Sequence, residues 1–428
     1  MELDPSQSRA VDLVCSAPFA ILTGGPGTGK STCLRVALDR MDRARETYAL
    51  ASPTGKAAKR MTEATGREAS TIHRLLEWRG RWTYRAGNPL PYDAVIIDES
   101  SMLDCELAEA LVDALDERTR LILVGDANQL PSVGPGRILA DLVDAELVPV
   151  ARLTHVHRAA AESWICRNAP RVLTGDALEL ASTGDFRFFE VEDAAEAARM
   201  VGEIVMMPEY RGAQVLGPQR TTACGIEALN TALQASLNPP VDPSLQWKLG
   251  ERVLRQGDRV IQTVNNYKIL SSTGIAGVFN GEVGEVAYVG ENLVVDFGDR
   301  RVPYTKGEAL DLELAYALTV HKSQGSEFPW VVCVVHSAHT FMLTRQLFYT
   351  AITRAKKGVV LVGNRKGLAA ATSARTPPKR NTTLVERMRE LVLEEVGASF
   401  DRAEAENDSE PAMVTAAGDA EEGDDISW

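Results

Sequence analysis

The chain has 428 residues, 45% of them hydrophobic and 25% charged, the make-up of a globular protein with two to three domains. No apolar run nears the roughly 18 residues of a membrane span, and no basic segment leads into an apolar one at the N-terminus. Neither a transmembrane helix nor a signal peptide is expected, and with six scattered cysteines and no C-x-x-C the expected setting is the reducing cytoplasm, with neither disulfides nor zinc.

In chain order, Leu3-Asp4-Pro5-Ser6-Gln7 opens a helix whose apolar face is Ala10, Val11 and Val14. The amide of Gln7 could read an adenine edge by donating and accepting at once; the plainer reading is an exposed helical glutamine. The apolar run Phe19 to Leu22 leads into Gly24-Gly25-Pro26-Gly27-Thr28-Gly29-Lys30-Ser31, and a helical stretch follows. Strand, glycine-rich loop and helix in that order make a P-loop. Glycines let backbone N–H groups close around phosphate oxygens, and the helix directs the positive end of its dipole at the same anion. Lys30 is expected on the β- and γ-phosphates, and Ser31 on Mg²⁺.

The short strand Tyr48 to Ala51 runs into Ser52-Pro53-Thr54-Gly55-Lys56-Ala57-Ala58-Lys59-Arg60. Hydroxyls, a glycine and three cations at a strand end suit a phosphate backbone; the alternative is a capped helix with a solvated basic face. Ser70 to Arg74, with His73, is similar and weaker. Residues 77–92 interleave Trp78, Trp82, Tyr84 and Tyr92 with Arg79, Arg81 and Arg85 around an Ala-Gly-Asn-Pro turn. They predict a β-hairpin suited to base stacking and phosphate contact, or a surface hairpin that merely covers the core.

Val95-Ile96-Ile97 reads as a buried parallel strand ending in Asp98 and Glu99. Asp98 is expected in the Mg²⁺ shell and Glu99 as the group that orients and activates water. A second such strand, Leu121 to Val124, leads into Gly125 to Pro131, where Gln129 could sense the γ-phosphate. The alternation predicts a doubly wound sheet with ligands at the carboxyl ends of its strands. A second unit begins near residue 151, where Arg158 could reach a phosphate across a cleft, and Val215 to Gly217 is another strand. Short strands with Gly/Asn turns over 258–311 predict a small β-barrel insertion. The α/β pattern resumes at Ala315, with strands Trp330 to Val335 and Gly358 to Val362 around a helix containing Phe348 to Ala355. An amphipathic helix is expected over 383–396, with Leu384, Val385, Met388, Leu391 and Val392 on one face. Residues 401–428 hold ten acids and one base, net −9 of the chain's −13, and read as a disordered acidic tail. The remaining body is thus near −4, which leaves room for basic grooves.

Taken together, these stretches resemble a superfamily 1B DNA helicase of the RecD-like/Dda branch, over residues 1 to about 365 and in the family's motif order. The resemblance implies an α/β fold of two RecA-like doubly wound parallel-sheet domains, with a pin hairpin at 77–92 and an SH3-like barrel. The implied division is 1–150 for the first domain, 151–257 with 312–375 for the second, 258–311 for the barrel, 376–400 for a C-terminal helix and 401–428 for the tail. ATP and Mg²⁺ are the implied cofactors. Gln7 would read adenine; Gly24 to Thr32 would cradle phosphate; Ser31 and Asp98 would hold the metal; Glu327 would reach the ribose. Lys30, Glu99, Gln129, Arg158 and the arginine finger Arg354 would act on the γ-phosphate. Pro53, Thr54, Lys56, His73, Trp82, Tyr84, Thr319, His321, Lys322 and Gln324 would lie along DNA.

The implied activity is ATP-driven 5′→3′ movement on single-stranded DNA with duplex unwinding, in replication, recombination or repair. Its partners would be single-stranded DNA and duplex junctions, with no membrane, and the motor would act as a monomer. The tail ends Asp424-Asp425-Ile426-Ser427-Trp428, which resembles the tail of bacterial single-stranded-DNA-binding proteins; it could compete for the DNA channel, dock such a partner, or only solubilise the chain with no specific contact. The adenine-reading motif starts at Leu3, which favours a free-standing motor without the N-terminal domain of longer RecD-like proteins. Two other readings use the same P-loop: a nucleic-acid-binding ATPase clamp that does not unwind, and a nucleotide kinase, which would have no use for the barrel or the pin.

Overall fold

The computed structural model describes residues 3–156, 163–180, 184–272, 276–373, 380 and 382–393. The chain divides into a large unit ending at Thr382 and a C-terminal unit beginning at Thr383, whose described part contains a helix over 384–393. The expected tail, 401–428, lies outside the described residues.

Helix α1 (Pro5–Ser16) begins where its sequence says it should. Asp4 Oδ1 accepts from the Ser6 and Gln7 amides at 2.7 and 3.0 Å, and Gln7 Oε1 accepts from the Asp4 amide at 3.3 Å, closing a capping box. Its face of Ala10, Val11 and Val14 packs on Leu34, Leu38 and Met41 of α2 (Lys30–Ala44). Six strands form the first sheet: β1 (Phe19–Gly24), β2 (Tyr48–Ser52), β3 (Ala69–Thr71), β4 (Ala94–Ile97), β5 (Arg120–Gly125) and β6 (Val150–Leu153). Their order is β3-β2-β4-β5-β1-β6 and every pairing is parallel. Helix α3 (Gly55–Thr65) follows β2. Helices on both faces bury whole strands, which is why Ala94-Val95-Ile96-Ile97 is apolar throughout.

The second sheet is built alike, from β7 (Phe186–Glu190) and β8 (Gln214–Gly217) and, after an insertion, from β18 (Ala317–Thr319), β19 (Phe328–Val335) and β20 (Ala355–Gly363). Its order is β18-β8-β19-β20-β7, again all parallel. Alternation along β19 feeds two cores. Val331, Cys333 and Val335 meet the helix Arg345–Ile352, while Val332 and Val334 meet the helices Ala194–Met206 and Ile226–Leu237.

Between the halves of this sheet lies an antiparallel domain. Its strands are β9 (Gln246–Leu249), β10 (Arg252–Arg255), β11 (Arg259–Gln262), β12 (Asn266–Leu270), β13 (Ala276–Val278), β14 (Val283–Val289), β15 (Leu293–Asp296), β16 (Arg301–Tyr304) and β17 (Leu312–Leu314). The central sheet runs β16-β15-β14-β11-β17, with ribbons β10-β9 and β12-β13 beside it. It is wider than the expected 258–311. The β9-β10 ribbon belongs to it because Trp247, Leu249 and Leu254 enter the same core as Val286, Val295 and Tyr304.

The expected hairpin at 77–92 needs correction. The segment is an irregular loop with one antiparallel bridge, Arg85 to Asn88, and no ladder. The Thr83 and Tyr84 amides turn back to the Leu76 carbonyl, Gly80 and Gly87 are left-handed, and Pro89 and Pro91 have no N–H to give. Aromatic contacts hold its base: Trp78 and Trp82 have ring centroids 4.4 Å apart, and His73 and Trp82 5.4 Å.

Candidate active site

The site begins at the turn from β1 into α2. Gly27 and Gly29 have φ of 72° and 90°, a conformation side chains rarely adopt, and Gly29 caps α2 directly. Thr28 Oγ1 donates to the Gly25 carbonyl at 2.9 Å. Lys30 Nζ donates to the carbonyls of Gly24 and, at 3.1 Å, Gly25. Lys30, Ser31, Asp98, Glu99, Asp126 and Gln129 from the first sheet's loops share a crevice of about 70 Å³ with Glu327, Thr353 and Arg354 from the second. Arg60, on α3, completes its wall.

Charge in this crevice is tightly arranged. Burial pushes the Asp98 carboxyl up to about 6, the Glu99 carboxylate adds to the rise, and Arg60 and Lys30 oppose it. Glu99 stands just past β4 with φ of 52°, a left-handed backbone that costs a non-glycine residue about 1 kcal/mol and turns its side chain into the crevice. Its Oε1 lies 3.3 Å from Arg60 Nη2 and 3.7 Å from Arg354 Nη1. Arg354 is buried and also donates to the Ser326 carbonyl at 3.3 Å. The Ser31 hydroxyl and Asp98 carboxylate in one crevice are the hard oxygen donors that Mg²⁺ takes.

The crevice is held together across the two sheets. Leu130 donates its amide to Thr350 Oγ1 at 2.8 Å and accepts from Gln324 Nε2 at 2.8 Å. Gln346 Nε2 donates to the Gln129 carbonyl at 2.8 Å, and Tyr349 Oη donates to Asp126 Oδ2 at 2.7 Å. A larger cleft of about 1340 Å³ adjoins it, sharing Pro26 and continuing past Gly24, Gly25 and Thr28 to His321, Arg345 and Arg380.

Several expected site residues stand elsewhere than anticipated. Glu327 lines the small crevice with Lys30 and Glu99, not the larger cleft; it lies 3.5 Å from Arg60 and 3.1 Å from Lys356. Gln7 is buried, with its amide on the Asp4 N–H and the Thr28 carbonyl rather than on an open face. Gln324 is buried in the seam on Leu130, which leaves its Nε2 in a protein contact. Arg158 lies outside the described residues. On the flank expected to meet DNA, Thr54 caps α3 and packs on the 325–328 loop: a Cβ at Gly325, whose φ is +69°, would stand 3.1 Å from Thr54 Oγ1. Lys56 Nζ sits 5.0 Å from the Phe328 ring centre. Lys322 is paired with Glu313 at 2.8 Å, and Glu313 also holds Arg220 at 3.1 Å. His321 is half-buried, burial and then Arg380 lowering its pKa. Pro53, Tyr84 and Thr319 are half-buried. The site residues that sequence reasoning left out are Arg60, Asp126, Tyr349, Thr353 and Lys356. Arg60 had a signal as one of the three cations after Ser52, and Asp126, Tyr349 and Thr353 lay inside the stretches Gly125 to Pro131 and Phe348 to Ala355; Lys356 had none.

Two doubly wound sheets sharing a P-loop crevice, with a basic residue of the second sheet aimed at the carboxylates of the first, define a two-domain P-loop ATPase. Comparison with known proteins narrows that class. Models of an AAA domain, of the SH3 domain of ATP-dependent RecD-like DNA helicases and of a UvrD-like helicase C-terminal domain match residues 7–135, 229–297 and 314–362. The ATP-dependent RecD2 DNA helicase of Deinococcus radiodurans is 40% identical over 395 residues, 90% of this chain and 52% of that protein. The RecBCD enzyme subunit RecD of Mycobacterium tuberculosis is 34% identical over 425 residues, 86% of this chain and 71% of that one. The chain thus spans about half the length of the first relative and over two thirds of the second. Among solved structures, the Pif1 helicase of Bacteroides in complex with ADP-AlF3 and ssDNA shares the fold, with a TM-score of 0.53, 18% identity and coverage of 84% of this chain and 92% of that one. Pif1 helicase of Candida albicans does so with a TM-score of 0.53, 18% identity and coverage of 92% and 100%. The chain belongs to the RecD-like family of DNA helicases.

Proposed function

We propose that this chain is an ATP-driven motor that travels 5′→3′ on single-stranded DNA and separates duplex ahead of it. One observation carries the reading: Lys30, Ser31, Asp98, Glu99 and Gln129 of one sheet share a crevice with Thr353 and Arg354 of the other. Chemistry at such a junction couples phosphate charge to the distance between domains. The terminal phosphates would enter the small crevice beside Lys30, and base and ribose the larger cleft beyond Pro26. Mg²⁺ held by Ser31 and Asp98 would neutralise charge on the β- and γ-phosphate oxygens. Glu99 would orient the attacking water, Gln129 would meet the γ-phosphate, and Arg354 would offset the charge that develops there. Single-stranded DNA would cross both domains along Pro53, Thr54, Lys56, Thr319, His321 and Lys322, with the His73-Trp82 cluster at the duplex end. Support comes from the relatives: RecD2 is by name an ATP-dependent DNA helicase, and the Bacteroides Pif1 structure holds ssDNA.

The experiment is strand displacement on matched duplexes carrying a 5′ or a 3′ single-stranded tail. Unwinding only of the 5′-tailed duplex is expected. Preference for the 3′ tail would reverse the direction. ATPase stimulated by single-stranded DNA without displacement of either duplex would replace the motor by a clamp.

A further inference from the structure

Arg60 has no part in the roles assigned above, yet it joins more charges of the crevice than Arg354 does. Nη2 stands 3.3 Å from Glu99 Oε1 and Nη1 3.5 Å from Glu327 Oε1. Arg354 Nη1 approaches the same Glu99 oxygen at 3.7 Å, so the carboxylate expected to take up water is held between two guanidinium groups. Burial works against the charge on Arg60, but Glu99, Glu327 and Asp98 raise its pKa all the same. Its Nη1 is buried and, among the described residues, makes the 3.5 Å ion pair with Glu327 but no hydrogen bond, so it keeps donor capacity at the edge of the phosphate crevice.

The helix that carries Arg60 is also the one whose first turn faces the DNA flank. Thr54 caps α3, and Lys56 sits in its first turn over Phe328. The loop they touch, from Gly325 to Phe328, carries Glu327, the second carboxylate held by Arg60. A helix moves as a rigid rod over so short a span, so a shift of its first turn is delivered to Arg60 with little loss. Arg60 and Glu327 also form the wall between the crevice and a cavity of about 270 Å³ lined by Lys56, Lys59 and Lys356.

We propose that Arg60 is a positioning residue that restrains Glu99 in the DNA-free protein and releases it when a phosphate backbone draws the first turn of α3. An ion pair on both sides of Glu99 Oε1 competes with the water that Glu99 must hold. DNA at Thr54 and Lys56 shifts the helix, and Arg60 gives up Glu99 while it keeps Glu327. This proposal rests on the motor reading, and the two can fail separately.

The test compares ATPase of the parental chain, Arg60→Met and Arg60→Lys, with and without saturating single-stranded DNA. Loss of one charge-assisted hydrogen bond to Glu99 should raise the DNA-free kcat of Arg60→Met about tenfold, with KM for ATP nearly unchanged. The DNA-stimulated kcat should change much less than the DNA-free one, so the stimulation ratio falls. Arg60→Lys keeps one charge but reaches one carboxylate at a time, so it should fall between the two; it also carries the test if Arg60→Met fails to show nucleotide-dependent melting. An unchanged ratio, or a fall in both rates together, would overturn the restraint and make Arg60 structural or directly catalytic. A parental chain without DNA stimulation would sink the motor reading and this proposal with it.

Discussion

Glu99 is confined on every side: its backbone is left-handed, its amide donates to Asp98 Oδ1 at 2.8 Å, and two arginines share one of its oxygens. Replacing it by Gln keeps the shape and removes the base. Glu99→Gln is therefore expected to bind ATP normally and to lose turnover, as filter binding and phosphate release would show; hydrolysis at the parental rate would remove Glu99 from the mechanism. Lys30→Ala should abolish both, because no other cation stands on the P-loop carbonyls Gly24 and Gly25 among the described residues. Arg354→Ala should lower kcat by about 10³-fold or more, the scale of an arginine finger. A different residue reports on DNA. Burial, with Arg259 and Arg60 nearby, pulls the Lys56 ammonium down to about 8. A DNA phosphate favours the charged form, so binding is strongest below that value and weakens as pH climbs through it. Single-stranded DNA affinity should thus drop from neutral pH to about 9.5, and Lys56→Arg, which stays charged, should flatten the profile. An equally steep fall in Lys56→Arg would assign the titration elsewhere.

Loop 77–92 shows what an element adds to its residues. Arg79, Arg81 and Arg85 are exposed, while Trp78, Trp82 and His73 hold one another at the base. Leu90, by contrast, is buried and donates its amide to the Ala114 carbonyl, so any deletion must stop before it. Replacing residues 80–88 by a short Gly/Ser turn should leave DNA-stimulated ATPase in place and cut the unwinding rate by about tenfold or more, the scale of one base-stacking contact. Parental unwinding rates would reduce the loop to scaffold. The same loop marks a limit of sequence reading. Alternating aromatics predict a hairpin, but its amides find Leu76 first, a contact that pattern alone does not reveal. The P-loop, α1 and the strands ending at Ile97 and Gly125 were legible because caps, glycines and apolar runs act locally. Tyr349 and the placement of Glu327 were not, because each depends on segments distant in sequence meeting across the seam, and Arg60 showed only as one of three cations, with nothing to reveal its pairing with Glu99. The β9-β10 ribbon was missed because its commitment to the barrel core rests on Trp247, Leu249 and Leu254 meeting side chains as far along the chain as Val295 and Tyr304.

At the scale of the molecule, the first sheet's loop from Asp126 to Leu130 is joined to the second sheet by buried hydrogen bonds donated by Tyr349 and Gln324 and one accepted by Thr350. Such bonds are costly to leave unmade, so the seam resists sliding and the crevice beside it is where opening and closing can occur. Charge adds a second, longer-range constraint. The chain carries −13, of which residues 401–428 supply −9, on a body whose expected DNA flank bears Lys56 and Lys322. A tail of that charge, acting as a tethered anion at high effective concentration, is expected to compete with DNA for those cations. The competition is ionic, so it belongs to low salt: counterions screen it as the Debye length falls. A chain truncated after residue 400 should bind single-stranded DNA several-fold more tightly than the full chain at low ionic strength. The advantage should shrink steadily as salt is added, because the full chain's internal competitor is screened along with its DNA contacts. Anisotropy titrations of both proteins over a salt series measure this directly. Equal affinities at low salt would remove the tail from the channel and leave two readings: a tip of Ile426 and Trp428, beside Asp424 and Asp425, for an apolar, basic-rimmed partner pocket, or a solubilising tail with no specific contact.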